Sequence, residues 1–487
     1  MRLRVRRREA PAGIHCRLIG SVLALAIAAG ASAAGTVPGP RDWPTYRGDC
    51  RRSGVTTERL AFPLHEAWVH LPMHPPTPAW PAPATQDVTN RYGDLSPSCV
   101  YDRAFQVAVA AGLLFYGSSS DDTVYCLDAA TGRMRWAFTT GGPVRLAPTV
   151  AGGRVYAGSD DGCVYCLDAK NGRLNWQYRA GPRGDSGEPR VRLLPGNGRM
   201  MSLWPVRSGV AVDDGIAYFS AGLFPYEGVY LCALDAKTGR EQWTERINCS
   251  PQGHLLVSPA RLFLPTGRTA PSIFSRDHGQ PLGGVEGLGG RFALVLDDML
   301  VHGPGERGQL HLADPDTRER IVSVPAFGLL AHGPTTYIAS QRGLSALDRA
   351  HYLDLSRQIE SIGRIKTEER TPEQKARLAA LAEERDNCWT WTVPCSVPYE
   401  FILAGDTLLI GGVGEVAAYR ATDGSRVWAG GVPGTAYGLA VSGGRLYVST
   451  DTGAIHCFAP GSAPQSGLVL ADAAAPASPY PEDEHGG

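Results

Sequence analysis

One phrase, written three times with small changes, constrains what this 487-residue chain can become. It runs Val124-Tyr-Cys-Leu-Asp128-Ala-Ala-Thr-Gly132-Arg-Met-Arg-Trp136, then Val164-Tyr-Cys-Leu-Asp168-Ala-Lys-Asn-Gly172-Arg-Leu-Asn-Trp176, then Leu231-Cys-Ala-Leu-Asp235-Ala-Lys-Thr-Gly239-Arg-Glu-Gln-Trp243. Apolar residues alternate ahead of the Asp and again around the Trp, which predicts two strands. The Asp-Ala-x-Thr/Asn-Gly stretch between them predicts a tight turn. There the Asp side chain caps the turn, and Gly supplies a positive φ that a Cβ would oppose. The Trp follows its Asp by eight residues each time, a spacing that suits a large flat side chain docking between neighbouring sheets. A strand-turn-strand unit that recurs predicts an array of sheets.

The phrase resembles the repeat of quinoprotein-type β-propellers, Ala-x-Asp-x-x-Thr-Gly-x-x-x-Trp, whose blades are four-stranded sheets around a central axis. Asp128, Thr131, Gly132 and Trp136 carry the match, and the two later copies repeat it. Weaker copies follow around Asp277, Asp314 and Asp348, then at Arg420-Ala-Thr-Asp-Gly424-Ser-Arg-Val-Trp428, and finally at Ile455-His-Cys-Phe458. Anchors at 128, 168, 235, 277, 314, 348, 420 and 458 count eight blades, and the gaps of 67 and 72 residues after Asp168 and Asp348 must hold insertions. The last copy lacks its turn and its Trp, so its blade would leave an open edge. Leu64-His-Glu-Ala-Trp68-Val-His-Leu71 reads as the missing strand. The expected fold is therefore all-β: an eight-bladed β-propeller of four-stranded antiparallel blades over residues 64–460, with a helical hairpin insertion and N-to-C strand closure.

Residues 1–34 read as a signal peptide. Arg2, Arg4, Arg6, Arg7, Arg8 and Arg17 precede or open an apolar run from Leu18 to Ala31, and Ala31-Ser-Ala33 offers small residues for cleavage. The run is short for a membrane-spanning helix, so no span is expected after cleavage, and the protein is expected in the periplasm or outside the cell. Cleavage would move the formal charge from −1 to −6, since six Arg and Glu9 leave together. That balance argues against nucleic-acid binding. Residues 35–63 form an N-terminal extension. Ile359, Ile362, Ile365, Leu378 and Leu381 recur at helical spacing, and Thr371-Pro-Glu-Gln374 is a capping box, so two helices are expected within 354–387. The tail, 461–487, is rich in Ala, Pro, Ser, Asp, Glu and Gly and is expected to be disordered. Cys126, Cys166, Cys232 and Cys457 fall at strand positions and read as small buried hydrophobes. Cys388 and Cys395 bracket Trp-Thr-Trp-Thr-Val-Pro and are the candidates for a disulfide.

Propellers bind ligands at the axial channel or where the loops between blades converge. Aligning the strands on Tyr156, Tyr218 and Phe263 gives a second repeat, Pro143-Val-Arg145 and Pro205-Val-Arg207, with Gln252 at the equivalent position and Arg103 beside it in the first blade. Arg268 is a further member of this set. Converging guanidinium groups would favour a carboxylate or an acidic sugar through bidentate hydrogen bonds; alternatively each Arg pairs with a nearby Asp or carbonyl and locks its loop. Asp121-Asp122, Asp160-Asp161-Gly162 and Asp213-Asp214-Gly215 read as hairpin turns between the same two strands of different blades. No metal site is expected, and no His-x-x-His, Gly-x-Ser-x-Gly, phosphate loop or dinucleotide fingerprint occurs.

Quinoprotein alcohol dehydrogenases of this fold hold pyrroloquinoline quinone between a Trp and a disulfide of adjacent cysteines, with calcium nearby. This sequence has no adjacent Cys pair. Non-enzymatic relatives with the same repeat include the propeller component of the outer-membrane β-barrel assembly machine, whose lipid-attachment Cys has no counterpart here. The opening Trp43-Pro-Thr-Tyr-Arg47-Gly-Asp49 resembles secreted quinoprotein-like repeat proteins. These resemblances imply a non-catalytic exported propeller, a binding or scaffolding module of the cell envelope, with envelope proteins or a small anionic ligand as partners and no cofactor. The alternatives are a dehydrogenase dependent on pyrroloquinoline quinone and calcium, or a binder of small anions or glycans at the axial channel.

Overall fold

The computed structural model describes residues 42–79, 100–196, 199–267, 269–287, 289–290, 292–296, 299–303, 308–396, 398–461 and 468–471. The expected signal peptide and most of the expected tail lie outside these residues. Six four-stranded antiparallel sheets follow one another, each a meander in chain order. They run from Val107–Ala110 to Met134–Thr139, Thr149–Ala151 to Leu174–Arg179, Ala211–Asp213 to Glu241–Ile247, Leu256–Val257 to Pro281–Gly284, Phe292–Leu296 to Arg320–Val324, and Gly328–His332 to Trp389–Val393. A two-stranded hairpin, Leu193–Gly196 with Arg199–Ser202, and a nine-stranded sheet complete the set. In it the 17-residue strand Arg426–Ser442 pairs through its first half with Val413–Arg420 and through its second half with Arg445–Thr450, so two four-strand groups share one strand. The result is the anticipated propeller of four-stranded antiparallel blades.

Closure comes from the two ends of the chain. Leu64–Leu71 pairs antiparallel with Ile455–Pro460, placing Trp68 opposite Cys457 as Trp136 stands opposite Cys126. The tail departs from expectation at Leu468–Ala471, which adds in parallel to the outer side of Trp68–Leu71. A short apolar run met an open backbone edge there, and pairing satisfies the edge.

Successive sheets are joined by one contact repeated. Trp136 Nε1 donates to Ala169 O at 3.1 Å, Trp176 to Ala236 O at 3.1 Å, Trp391 to Ala421 O at 3.1 Å and Trp68 to Ala129 O at 3.3 Å. Each indole lies on the turn Gly of the next sheet. A Cβ at Gly132 would stand 2.7 Å from the Trp68 ring, one at Gly172 2.7 Å from Trp136, and one at Gly239 2.6 Å from Trp176. The same glycines have φ of 70°, 72° and 72°. Glycine is thus required twice over, for its left-handed backbone and for the bare face it offers the indole. The Asp closes the turn from inside, Asp128 Oδ1 accepting from Ala130 N at 3.1 Å and Thr131 N at 3.0 Å.

Three sequence expectations shift. In the fourth sheet Gly279 N bonds to Ser275 O, the bond that Gly132 N makes to Asp128 O, so the turn's anchor is Ser275 and Asp277 lies within the turn. In the sixth sheet Asp348 accepts from His351 N at 3.2 Å, and this bond caps a helix. Helix α1 accordingly spans Arg349–Gly363, starting earlier than the expected residue 354, and α2 spans Pro372–Asp386 behind its capping box at Thr371 and Gln374. Cys388 and Cys395 are free thiols on either side of the strand Trp389–Val393. The strand between them alone spans roughly 13 Å from Trp389 to Val393, four steps of about 3.3 Å, too far for a disulfide, whose Cα atoms stand about 6 Å apart. Cys126, Cys166, Cys232 and Cys457 are fully buried, as small core residues.

Gly172→Ala is expected to destabilise the protein by about 2–4 kcal/mol, combining a left-handed Ala with a crowded Trp136. Gly153 has the same φ of 72° and nothing within 4 Å of its would-be Cβ, so Gly153→Ala should cost only about 1–2 kcal/mol. Urea midpoints at constant m-value measure the difference.

Candidate functional site

Residues 42–56 run among the first strands of the sheets. Trp43 exchanges backbone hydrogen bonds with Val109, 2.7 Å in each direction. Pro44 O accepts from Val150 N at 2.7 Å, Cys50 O from Val257 N at 3.0 Å, Arg51 O from Val295 N at 2.9 Å and Gly54 O from Leu403 N at 2.8 Å. Those partners lie on the first strands of the first, second, fourth and fifth sheets and on Glu400–Ala404 of the nine-stranded sheet. First strands of neighbouring sheets also touch one another, so the segment that bonds to so many of them occupies the ring axis. The Trp43-Pro-Thr-Tyr-Arg47-Gly-Asp49 motif is therefore a plug. Arg47 and Arg52 fold it back on itself with φ of 55° and 60°. Arg52, 1% exposed, donates to Leu255 O at 2.9 and 3.2 Å, Thr45 Oγ1 at 2.9 Å, Tyr46 O at 3.1 Å and Asp49 O at 3.2 Å. Burial lowers its pKa, and these oriented oxygens stand in for water around the charge.

Beside the axis lie two of the arginines singled out from sequence. Arg145 donates through Nε to Asp160 at 2.6 Å and through Nη1 to Asp102 at 3.0 Å and Thr77 O at 2.6 Å. Arg207 grips the same Asp160 with Nε and Nη2, both at 2.8 Å. All four side chains are buried. Burial alone would raise the Asp160 carboxyl; the Arg207 and Arg145 guanidinium groups outweigh it and hold the group below the usual carboxylate range. Asp102 goes the other way, raised by burial that Arg145 only partly offsets. Two positive and two negative charges cancel. Of the two readings open for Arg145 and Arg207, an outside anion or a nearby Asp or carbonyl that locks the loop, the second describes their contacts: the anion is Asp160, a residue that sequence pattern assigned to a turn alone. The Asp pairs are not equivalent either: Asp121-Asp122 and Asp160-Asp161 follow second strands, whereas Asp213-Asp214 joins a first strand to a second.

A cavity of about 50 Å³ opens between plug and ring, walled by Tyr46, Arg47, Tyr101, Arg103, His254, Phe292, Glu400 and Tyr437 among others. Arg47 pairs with Glu400 and lies 5.4 Å over the Phe292 ring. Tyr46 stacks on His254 at 3.9 Å between centroids. Arg103 sits 5.4 Å over the Tyr437 ring and reaches its hydroxyl at 3.3 Å. Gln252 is not part of the wall; its backbone N–H bonds to Pro265 O. Arg268 lies outside the described residues. Of the five residues expected at the axis, Arg103 reaches this cavity. Tyr46 and Arg47 stood in the opening motif and Tyr101 two positions before Arg103, so adjacency could have found them. Nothing in the sequence marks Glu400 or Tyr437. Among the described residues no group of three or more His, Cys, Asp or Glu could hold a metal ion, and no helix is long and apolar enough to cross a membrane.

Four-stranded sheets in a ring, stitched by Asp–Gly turns and indoles, define a quinoprotein-type β-propeller. Quinohemoprotein alcohol dehydrogenase from Comamonas testosteroni superposes with a TM-score of 0.54 at 12% identity, covering 90% of this chain and 83% of that one. The corresponding enzyme ADHIIG from Pseudomonas putida HK5 gives 0.53 at 14%, covering 90% and 82%. The computationally designed Ika8 protein gives 0.52 at 11%, covering 74% and 97%. At such identities the likeness is one of fold. The family described as outer membrane protein assembly factor BamB matches residues 101–321 and 391–463, more than half of the chain, and the chain belongs to that family. No curated protein matches it significantly.

Asp160→Asn removes the carboxylate that Arg207 and Arg145 share, leaving Arg145 its pair with Asp102, and is expected to cost about 3–5 kcal/mol of stability. Replacing Arg145 and Arg207 together should also destabilise, since Asp160 is then left buried and unpaired. Equilibrium denaturation reads both.

Proposed function

We propose that this protein is a non-catalytic binding or scaffolding module of the cell envelope, exported by its N-terminal leader and working through contacts with other proteins. The observation that carries this reading is the filled axis. Residues 42–56 hydrogen-bond to first strands of five sheets at the centre, where a propeller would otherwise offer space for a ligand of some size. Membership of a family described by an outer-membrane assembly factor supports a role in protein contacts.

The residues present do not fit pyrroloquinoline quinone. No two cysteines are adjacent in the chain, so the disulfide that would stack on the ring has no counterpart. Burial pushes the Cys166 and Cys232 thiols up to about 12, which keeps them protonated and poorly reactive. Asp102 and Asp160, the carboxylates buried near the axis, are engaged by Arg145 and Arg207.

Purified protein mixed with pyrroloquinoline quinone and calcium is expected to elute from a sizing column without quinone absorbance and to show no dye-linked alcohol oxidation. Immobilised protein should meanwhile retain specific proteins from an envelope extract, identified by mass spectrometry. Quinone that co-elutes and supports dye reduction would replace this reading with that of a dehydrogenase.

A further inference from the structure

Among the described residues, six sheets end on an outer strand that pairs on one side alone. Those strands, Met134–Thr139, Leu174–Arg179, Glu241–Ile247, Pro281–Gly284, Arg320–Val324 and Trp389–Val393, hold four to seven residues. The corresponding strand of the closing sheet, Leu64–Leu71, holds eight residues and pairs on both sides, with Ile455–Pro460 and with the tail strand Leu468–Ala471. A long strand edge accepts any extended chain unless it is shortened, charged or covered. This one is covered by the chain's own end.

The cover is short and lightly held. It pairs in parallel from Trp68 opposite Leu468 to Leu71 opposite Ala471, and it stops short of Leu64–Ala67. Parallel ladders are slightly less stable per residue than antiparallel ones. Seven residues join the tail strand to Pro460, and within the sheets it has no neighbour other than Leu64–Leu71. Lifting it breaks one ladder of four residues and leaves the seam with Ile455–Pro460 intact. Neither side of this ladder is charged: Trp68-Val-His-Leu71 and Leu468-Val-Leu-Ala471 contain no Asp, Glu, Lys or Arg. Burial lowers the His70 pKa to about 4, so its imidazole is neutral.

We infer that the outer edge of Leu64–Leu71 docks an extended, uncharged apolar segment of a partner protein, and that Leu468–Ala471 is a tethered stand-in which this segment displaces. The inference rests on the protein-contact reading and gives one contact its place and chemistry. Main-chain hydrogen bonds supply the affinity, as in other cases of strand addition. The tail competes at roughly millimolar effective concentration because it is tethered. A partner strand that runs on past Trp68 over Leu64–Ala67 makes more ladder bonds than the tail does, and so prevails.

Val469→Pro combined with Leu470→Pro removes two successive amides, one of which faces the edge whichever way the strand alternates. The probe is a fluorescent peptide of residues 466–473. The doubly substituted full-length protein should bind it at least about tenfold more tightly than the parent, whose tethered tail competes. Hydrogen exchange should show the peptide protecting amides within Leu64–Leu71. Proteins retained from an envelope extract should be retained in larger amount by the substituted form, and excess unlabelled peptide should release them. Equal peptide affinity in the two forms, or retained proteins that the peptide does not release, overturns the inference and leaves the protein-contact reading standing. A concentration-dependent dimer of the parent that the two prolines abolish also overturns it, since the tail would then serve a second copy of the chain. If neither form retains any protein, the protein-contact reading fails and this inference fails with it.

Discussion

The indole of one sheet resting on the turn glycine of the next is the contact on which the ring depends. A lone four-stranded sheet has two faces to cover and cannot cover either by itself; the fold works because each sheet lends a large flat side chain and offers a bare turn in return. Trp68 on Gly132, Trp136 on Gly172 and Trp176 on Gly239 are the same joint. Trp428 Nε1, donating to Leu64 O at 2.9 Å, carries the joint to the strand that completes the ring. Large apolar area and one hydrogen bond are thus delivered at a fixed angle, and the angle repeated is what bends a row of sheets into a circle.

That circle leaves a hole, and the chain fills it with itself. The plug is a polar segment in a buried place, which is tolerable only because its carbonyls are taken by first-strand amides and its Arg52 by carbonyls in turn. Alongside it, Arg145, Arg207, Asp102 and Asp160 form a neutral buried cluster that clamps the loops of the first two sheets to the approach of the third. Such clusters contribute little net stability compared with apolar packing, but they tolerate no missing member. The axis is accordingly rigid by hydrogen bonding as well as by packing, apart from the small space beside Arg47.

The architecture was legible in the chain because its rules are local. Asp, Gly and Trp at fixed spacing report a turn and a dock within thirteen residues, and the closing strand could be found by asking which piece the last copy lacked. Legibility ended where one residue serves two geometries. The carboxylate of Asp348 accepts from an amide three residues on, as Asp128 does from Thr131, yet the chain continues into a helix, and the Trp that belongs to that turn, Trp391, is displaced beyond the insertion. Asp160 likewise satisfies a hairpin turn and a buried ion cluster at once, and only the second role needs Arg207, 47 residues away. The cavity was least legible of all: Arg47, Tyr101, His254 and Glu400 meet only because the ring brings them round.

Closure through both termini ties folding to the completion of the chain. Glu66 and His456, 390 residues apart, are hydrogen-bonded at 2.7 Å, so the strand Leu64–Leu71 must wait with unpaired edges until nearly everything after it has been made. Local meanders can form early, since their contacts span few residues, while the seam is the longest-range contact and the slowest to find. A chain that crosses a membrane before folding would meet this wait on the far side, where a protein holding the first strand would decide how many rings close and how many aggregate.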